Sequence, residues 1–203
     1  MNSKVAARRE RQLDALIGAA ENKIKTHGLA GVKARDLADE IGIALGAIYN
    51  LVADLDELVL RVNVRTMNRL DAALLDAAPP PLPFTRESAA KQLVAIGLAY
   101  RRFACENMRL WRNLFEYSPP PGCPLPEWAV GKDIHLIRHI CDPLRVLMTE
   151  AKEPDRHLMA RALFSAVHGI VSLGLEDWQV GVPDSKQDAQ IEKLIQIICE
   201  GLR

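Results

Sequence analysis

Several features that announce a chemistry are missing from this sequence. The 26 Lys and Arg residues are matched by 26 Asp and Glu, so the bulk charge points to no partner. No apolar run approaches the ~18 residues of a membrane-spanning helix, and the N-terminus, rich in Arg and Glu, lacks the apolar stretch of a signal peptide. A cytoplasmic protein with no membrane partner is therefore expected. Cys105, Cys123, Cys141 and Cys199 stand far apart without a CxxC pair, which implies neither a zinc site nor a disulfide framework. Reduced, mostly buried thiols are expected. Neither a Ser-His pairing nor a Gly-rich phosphate loop is present, so no cofactor is expected and the chain does not read as an enzyme. The β-branched alternation of strands is absent as well.

What remains is apolar residues at helical spacing almost throughout, which predicts an all-α protein. Leu13, Leu16, Ile17, Ala20 and Ile24 form one stripe, on a helix that should end at Gly28 through a left-handed cap. A short helix follows from about Ala34 to Glu40, Gly42 turns the chain, and a third segment runs from Ala44 to Val52. Asp54 and Glu57 resemble a variant capping box that starts a longer helix. Proline lacks the amide donor, so Pro79 to Pro83 should break the chain and mark a boundary. The expected division is residues 1–53, a three-helix head, 54–78, a connecting helix, and 79–203, a larger helical body, with about nine helices in all.

In the body, Thr85 is positioned to cap a helix to about Cys105, and Asn107 to cap the next. After a second proline break, a helix is expected from Glu127 to Ala151, with a kink or early stop at Pro143. Another should run from Pro154 to about Trp178, and Asp184 with Gln187 resembles the cap of the last.

Two short helices joined by a glycine turn and propped on a longer one are the parts of a helix-turn-helix unit. The ordered set Gly28, Arg35-Asp36-Leu37-Ala38, Gly42-Ile43, Gly46, Ile48-Tyr49 and Asp56-Glu57-Leu58 resembles the head of TetR-type transcriptional regulators. The resemblance covers roughly Leu13 to Leu60. It implies that Ala44 to Val52 enters the major groove, so that Ala44, Leu45, Gly46, Ala47, Tyr49 and Asn50 face DNA, with Ala47 against a thymine methyl and Tyr49 on a phosphate. Lys33 and Arg35, beside free helix amides, suit a phosphate, and Arg8, Arg9 and Arg11 form a basic arm. Ala44 and Leu45 depart from the hydroxyl and basic residues usual in the family, and no Lys or Arg occurs from Ala44 to Leu60. A shallow salt dependence and modest non-specific affinity follow.

The resemblance further implies a homodimer through the last two helices, a double-stranded DNA operator of near-palindromic sequence, and a ligand-responsive repressor. Leu158, Ala162, Ser165, Gly169 and Ser172 give the penultimate helix a small-residue stripe, and Ile191, Leu194, Ile195, Ile198 and Leu202 supply knobs on the last. Val167-His168-Gly169 resembles the Trp-His-Gly segment of one C-terminal subtype, with valine in place of tryptophan. Tyr100, Phe103, Met108, Trp111, Phe115, Met148, Phe164 and His168 are the candidate lining of a pocket for an apolar effector. Two rival readings stand beside these. His135 and His139, at i, i+4, share a helix face where a metal can bind, though the Glu of a metalloprotease motif is absent and no metal is assigned. An adaptor protein with a degenerate helix-turn-helix would bind protein through exposed Leu45, Leu51 and Leu55.

Overall fold

The computed structural model describes residues 2–118, 126, 128–129, 133–176 and 182–202. Among these there are nine α-helices and no strand, the expected all-α class. The chain divides into two compact units, residues 1–67 with 107–130, and 68–106 with 131–203. The division between them falls inside the fourth helix, and the helix after Asn107 belongs to the first unit.

In the first unit, α1 (Asn2–His27) takes in the basic arm as its opening turns. Gly28 ends it at φ 69°, a left-handed value that glycine adopts without strain, and its N–H donates to the Ile24 carbonyl at 2.9 Å. A 3-10 turn at Leu29–Gly31 leads into α2 (Ala34–Ile41), which Gly42 closes at φ 69°, ψ 39°. The next helix, α3, spans only Leu45–Ile48, shorter than the expected Ala44 to Val52. Its end tightens, with Asn50 N–H on the Ala47 carbonyl and Leu51 N–H on the Ile48 carbonyl, so that Leu51 and Val52 turn inward. The capping box then opens α4 (Leu55–Ala77) as anticipated: Glu57 N–H donates to Asp54 Oδ1 at 2.7 Å, and Glu57 Oε2 accepts from Ala53 N–H at 2.6 Å.

One apolar core holds these pieces. Leu16, Ile24, Leu37, Ile48, Leu58 and Val62 are completely buried in it, and each contributes on the order of 1.5–3 kcal/mol by leaving water. Helix α6 (Met108–Glu116) adds Leu110. Polar ties accompany it: Tyr117 donates to Asp56 at 2.6 Å, Asn113 Nδ2 to Asn63 Oδ1 at 2.6 Å, and Arg109 to the Lys25 carbonyl at 3.0 Å. Arg65 on α4 pairs with Asp14 on α1. Asn107 occupies the N-cap of α6 as expected, but its side chain does not close the cap.

The second unit is built on α5 (Arg86–Glu106), packed against α7 (Asp133–Leu147), α8 (Glu153–Gly174) and α9 (Asp184–Gly201). Thr85 caps α5 in exchange with Ser88, each hydroxyl accepting from the other's backbone N–H. Arg86 donates to the Leu147 carbonyl at 2.7 Å and the Leu202 carbonyl at 2.6 Å, placing one cation at the negative ends of α7 and α9. Helix α7 passes through Pro143 and stops at Leu147, short of the expected Ala151. Helix α8 ends at Gly174, and Trp178, its expected end, lies outside the described residues.

The expected cap of α9 is replaced by a different arrangement. Neither Asp184 nor Gln187 caps; Pro183 holds the N-cap position. Gln187 is buried, and its amide donates to the Gly174 and Val182 carbonyls. Its oxygen accepts from Arg101 of α5, which also pairs with Asp184 and Asp188. The Arg101 guanidinium thus takes the two side-chain acceptors, the Asp184 carboxylate and the Gln187 amide oxygen, that would otherwise be free to cap the helix.

Gly97 lets α5 and α9 come close. A Cβ there would lie 2.8 Å from Ile191 and 3.0 Å from Ile195. Gly97→Val is expected to lower the urea midpoint by the equivalent of about 1–3 kcal/mol. Gly169→Ala, whose added carbon meets nothing within 4 Å in the single chain, should be neutral or gain about 0.5–1 kcal/mol within one protomer. An unchanged midpoint for Gly97→Val contradicts the close helix contact.

Candidate nucleic-acid interface and ligand cavity

The exposed face of α3 follows from its one anchored residue. Ile48 is fully buried, which turns Ala44, Leu45, Gly46, Tyr49 and Asn50 to solvent, with Tyr49 53% exposed, while Ala47 is half-buried. A Cβ on Gly46 would meet nothing within 4 Å, so the protein's own packing does not require glycine there. Lys33, at the N-cap of α2, and Arg35 in its first turn are both exposed, as are Arg8 and Arg11 on α1. With the N-terminal amides of α2, these groups can approach a phosphate.

Arg9 is differently placed. Its guanidinium donates to the backbone carbonyls of Asn50, at 3.2 Å, and Leu51, at 3.4 Å. No feature of the sequence near Arg9 marks that partnership, which joins residues 41 and 42 positions apart. The leucine surface expected for an adaptor is not assembled: Leu51 is buried in the core and Leu55 is half-buried against it, leaving Leu45 exposed.

The second unit holds an apolar cavity of about 30 Å³. Of the candidate lining residues, Tyr100 and Phe164 reach it, their rings packed edge to face at 5.7 Å between centroids. His168 joins them through a 2.7 Å hydrogen bond between its Nδ1 and the Tyr100 hydroxyl. Phe103 is buried on α5 and Met148 half-buried after α7, neither of them on the cavity wall. Met108, Trp111 and Phe115 lie on α6 in the first unit. The wall is otherwise aliphatic, with Leu93, Ile96, Leu163, Val167 and Ile195. The three- and four-residue spacing of these aliphatic residues along α5 and α8 is the signal for them in the sequence.

The small-residue stripe of α8 faces outward. Leu158, Ala162 and Ser165 are exposed, and Gly169 and Ser172 are half-buried. On α9 the apolar face is split: Ile191 and Ile195 are buried within the unit, whereas Leu194 and Ile198 are not fully buried and Ile197 is 54% exposed.

Among the described residues, no group of three or more His, Cys, Asp or Glu side chains can hold a metal ion, and no helix is long and apolar enough to cross a membrane. His139 Nε2 lies 2.7 Å from Asp71 Oδ1. The side chain of His135 and all of Cys123 lie outside the described residues. Cys105 is exposed, Cys141 and Cys199 are buried, and desolvation raises all three thiol pKa values.

Burial holds the His168 pKa below its ordinary value of 6.5, since a charged imidazolium is poorly solvated there. A neutral ring with its proton on Nε2 can accept the Tyr100 hydroxyl hydrogen at Nδ1. The unfolded chain therefore binds a proton that the folded chain refuses, and this contribution to stability is lost as pH falls through 6.5 toward the lowered value. Between about pH 7 and 5.5 the native protein should lose more thermal stability than His168→Gln. Equal losses in the two proteins would show that His168 charges freely in the fold.

Comparison with known proteins agrees with this architecture. A protein from Rhodococcus sp. RHA1 superimposes with a TM-score of 0.74 at 22% identity, over 94% of this chain and 95% of its own. A tetR-family transcriptional regulator from Streptomyces coelicolor gives 0.67 at 15% identity, over 95% of this chain and 83% of its own. PfmR, a TetR family transcriptional regulator from Thermus thermophilus, gives 0.60 at 16% identity, over 93% of this chain and 98% of its own. At these identities the likeness is one of fold. No curated protein matches the sequence. Residues 93–198, however, match the tetracyclin repressor-like C-terminal domain, more than half of the chain. The chain belongs to the TetR family of transcriptional regulators.

Proposed function

We propose that this regulator binds double-stranded DNA as a homodimer and acts as a repressor released by a small apolar effector. The observation that carries the reading is the exposed face of α3, Gly46, Tyr49 and Asn50, fixed by buried Ile48 and flanked by exposed Lys33 and Arg35. In this reading residues 1–53 read DNA, 54–78 connect, and 79–203 pair and sense, although α6 packs within the first unit. Ala44, Leu45 and Ala47 offer small or apolar contacts in the major groove, and Asn50 offers an amide to a base edge or phosphate. Arg8, Arg11, Lys33, Arg35 and Tyr49 supply phosphate contacts.

A fluorescence-anisotropy titration against the DNA upstream of the protein's own gene tests this. Binding is expected at low salt, and Tyr49→Ala should weaken it roughly tenfold, to a similar degree on operator and unrelated DNA. No binding at micromolar protein in low salt contradicts the proposal.

Pairing through the outward faces of α8 and α9 accounts for Leu158, Leu173 and Ile197, which are 70%, 51% and 54% exposed in the single chain. A two-fold dimer would set two recognition helices on half-sites about 34–36 Å apart or somewhat more. Light scattering should report a dimer for the native protein and a monomer for Ile197→Glu. A native monomer at working concentration rules out this pairing.

The aliphatic cavity beside Tyr100, Phe164 and His168 suits an uncharged or lipophilic effector, with the Tyr100–His168 pair as its polar anchor. The effector lowers DNA affinity by binding the DNA-free conformation more tightly. Val167-His168-Gly169 on α8 supports grouping this body with the Trp-His-Gly subtype.

A further inference from the structure

We propose that Arg9 is a positioning residue for DNA reading, one that holds the end of the recognition helix and does not itself contact phosphate. The inference rests on the DNA-binding reading and assigns this arginine a role apart from its neighbours.

The turn that follows α3 can leave carbonyls without amide partners, as a helix end does. After α3 the turn uses the Ala47 and Ile48 carbonyls, but among the described residues no backbone amide reaches those of Asn50 or Leu51. Arg9 supplies the missing donors. Its Nη2 lies 3.2 Å from the Asn50 oxygen and 3.4 Å from the Leu51 oxygen, and Nε lies 3.4 Å from the former. One planar guanidinium thus fixes two successive peptide groups, which a lysine ammonium cannot reproduce with the same geometry.

Those peptides set the recognition surface. Tyr49 and Asn50, the polar side chains at the exposed end of α3, lie directly before them, and Leu51 and Val52, anchored in the core, directly after. Loosening the carbonyls frees the end of the helix that presents Tyr49 and Asn50. Arg8 and Arg11 have no such bond among the described residues and are exposed, so they remain available to phosphates.

Salt dependence separates the two roles, because a cation that neutralises a phosphate contributes about 0.9 to the slope of log affinity against log salt. The experiment measures DNA affinity from low to moderate salt for the native protein, Arg9→Ala, Arg9→Lys and Arg11→Ala. Arg11→Ala should lower the slope by about 0.9, whereas Arg9→Ala should weaken binding about tenfold with its slope unchanged within about 0.3. Arg9→Lys should recover less than half of the loss. In the free protein, Arg9→Ala should speed hydrogen exchange of the Leu51 and Val52 amides several-fold.

A slope reduced by about 0.9 in Arg9→Ala makes it a phosphate contact and overturns the inference. Unchanged exchange at Leu51 and Val52 overturns it as well, even where DNA binding persists. If the native protein binds no DNA, the DNA-binding reading itself fails, and with it the role assigned to Arg9.

Discussion

Four residues of α-helix have no stability of their own in water, because nucleation fixes several dihedral angles for a single hydrogen bond. Helix α3 exists because Ile48 is drawn completely into the core formed by Leu16, Ile24, Leu37 and Leu58. What α3 presents to the outside depends on that burial. It sets which side of α3 faces solvent, it draws Leu51 and Val52 inward behind it, and it leaves the turn whose carbonyls Arg9 occupies. The glycines on either side of α2 serve the same end, since left-handed turns at Gly28 and Gly42 redirect the chain within one or two residues.

The second unit solves a different problem. Long helices need less help to form, but they must be kept in register, and α5 does this with arginine near either end. Arg86 gathers the C-terminal ends of α7 and α9, and Arg101 ties α5 to the start of α9 through Gln187, Asp184 and Asp188. Between them Gly97 removes the side chain that would hold α9 away. Directional polar contacts set the alignment along the axes, while Ile191 and Ile195 supply the non-directional burial.

Local signals in the sequence proved the most legible. The glycine turns, the Asp54 and Glu57 capping box and the Thr85 cap each depend on residues within a few positions, and each appears in the fold. What escaped was set by distant partners. Gln187 has the right spacing for a cap, but Arg101, 86 positions away, engages it. The prolines at 79–83 mark where a helix must stop, yet nothing in them shows that α6 packs beside α1. In the candidate interface the outward placement of Gly46, Tyr49 and Asn50 was implied by the resemblance to the TetR-type head, whereas Arg9 read as one more cation of a basic arm. In the cavity, Tyr100 and Phe164 were legible and their aliphatic neighbours less so, because burial of Leu or Ile is the ordinary fate of a core residue.

The size of that cavity has a consequence for recognition. A space of about 30 Å³ admits about two water-sized spheres, far less than the volume of an organic effector. If the proposed effector enters this cavity, anything larger must make its own room by displacing Phe164 or the aliphatic wall. Part of its contact energy is then spent on opening the site, and affinity understates complementarity. For an effector of the kind proposed, selection would become a matter of which shapes the wall yields to at least cost, so that chemically unrelated molecules of similar girth would elicit the same response.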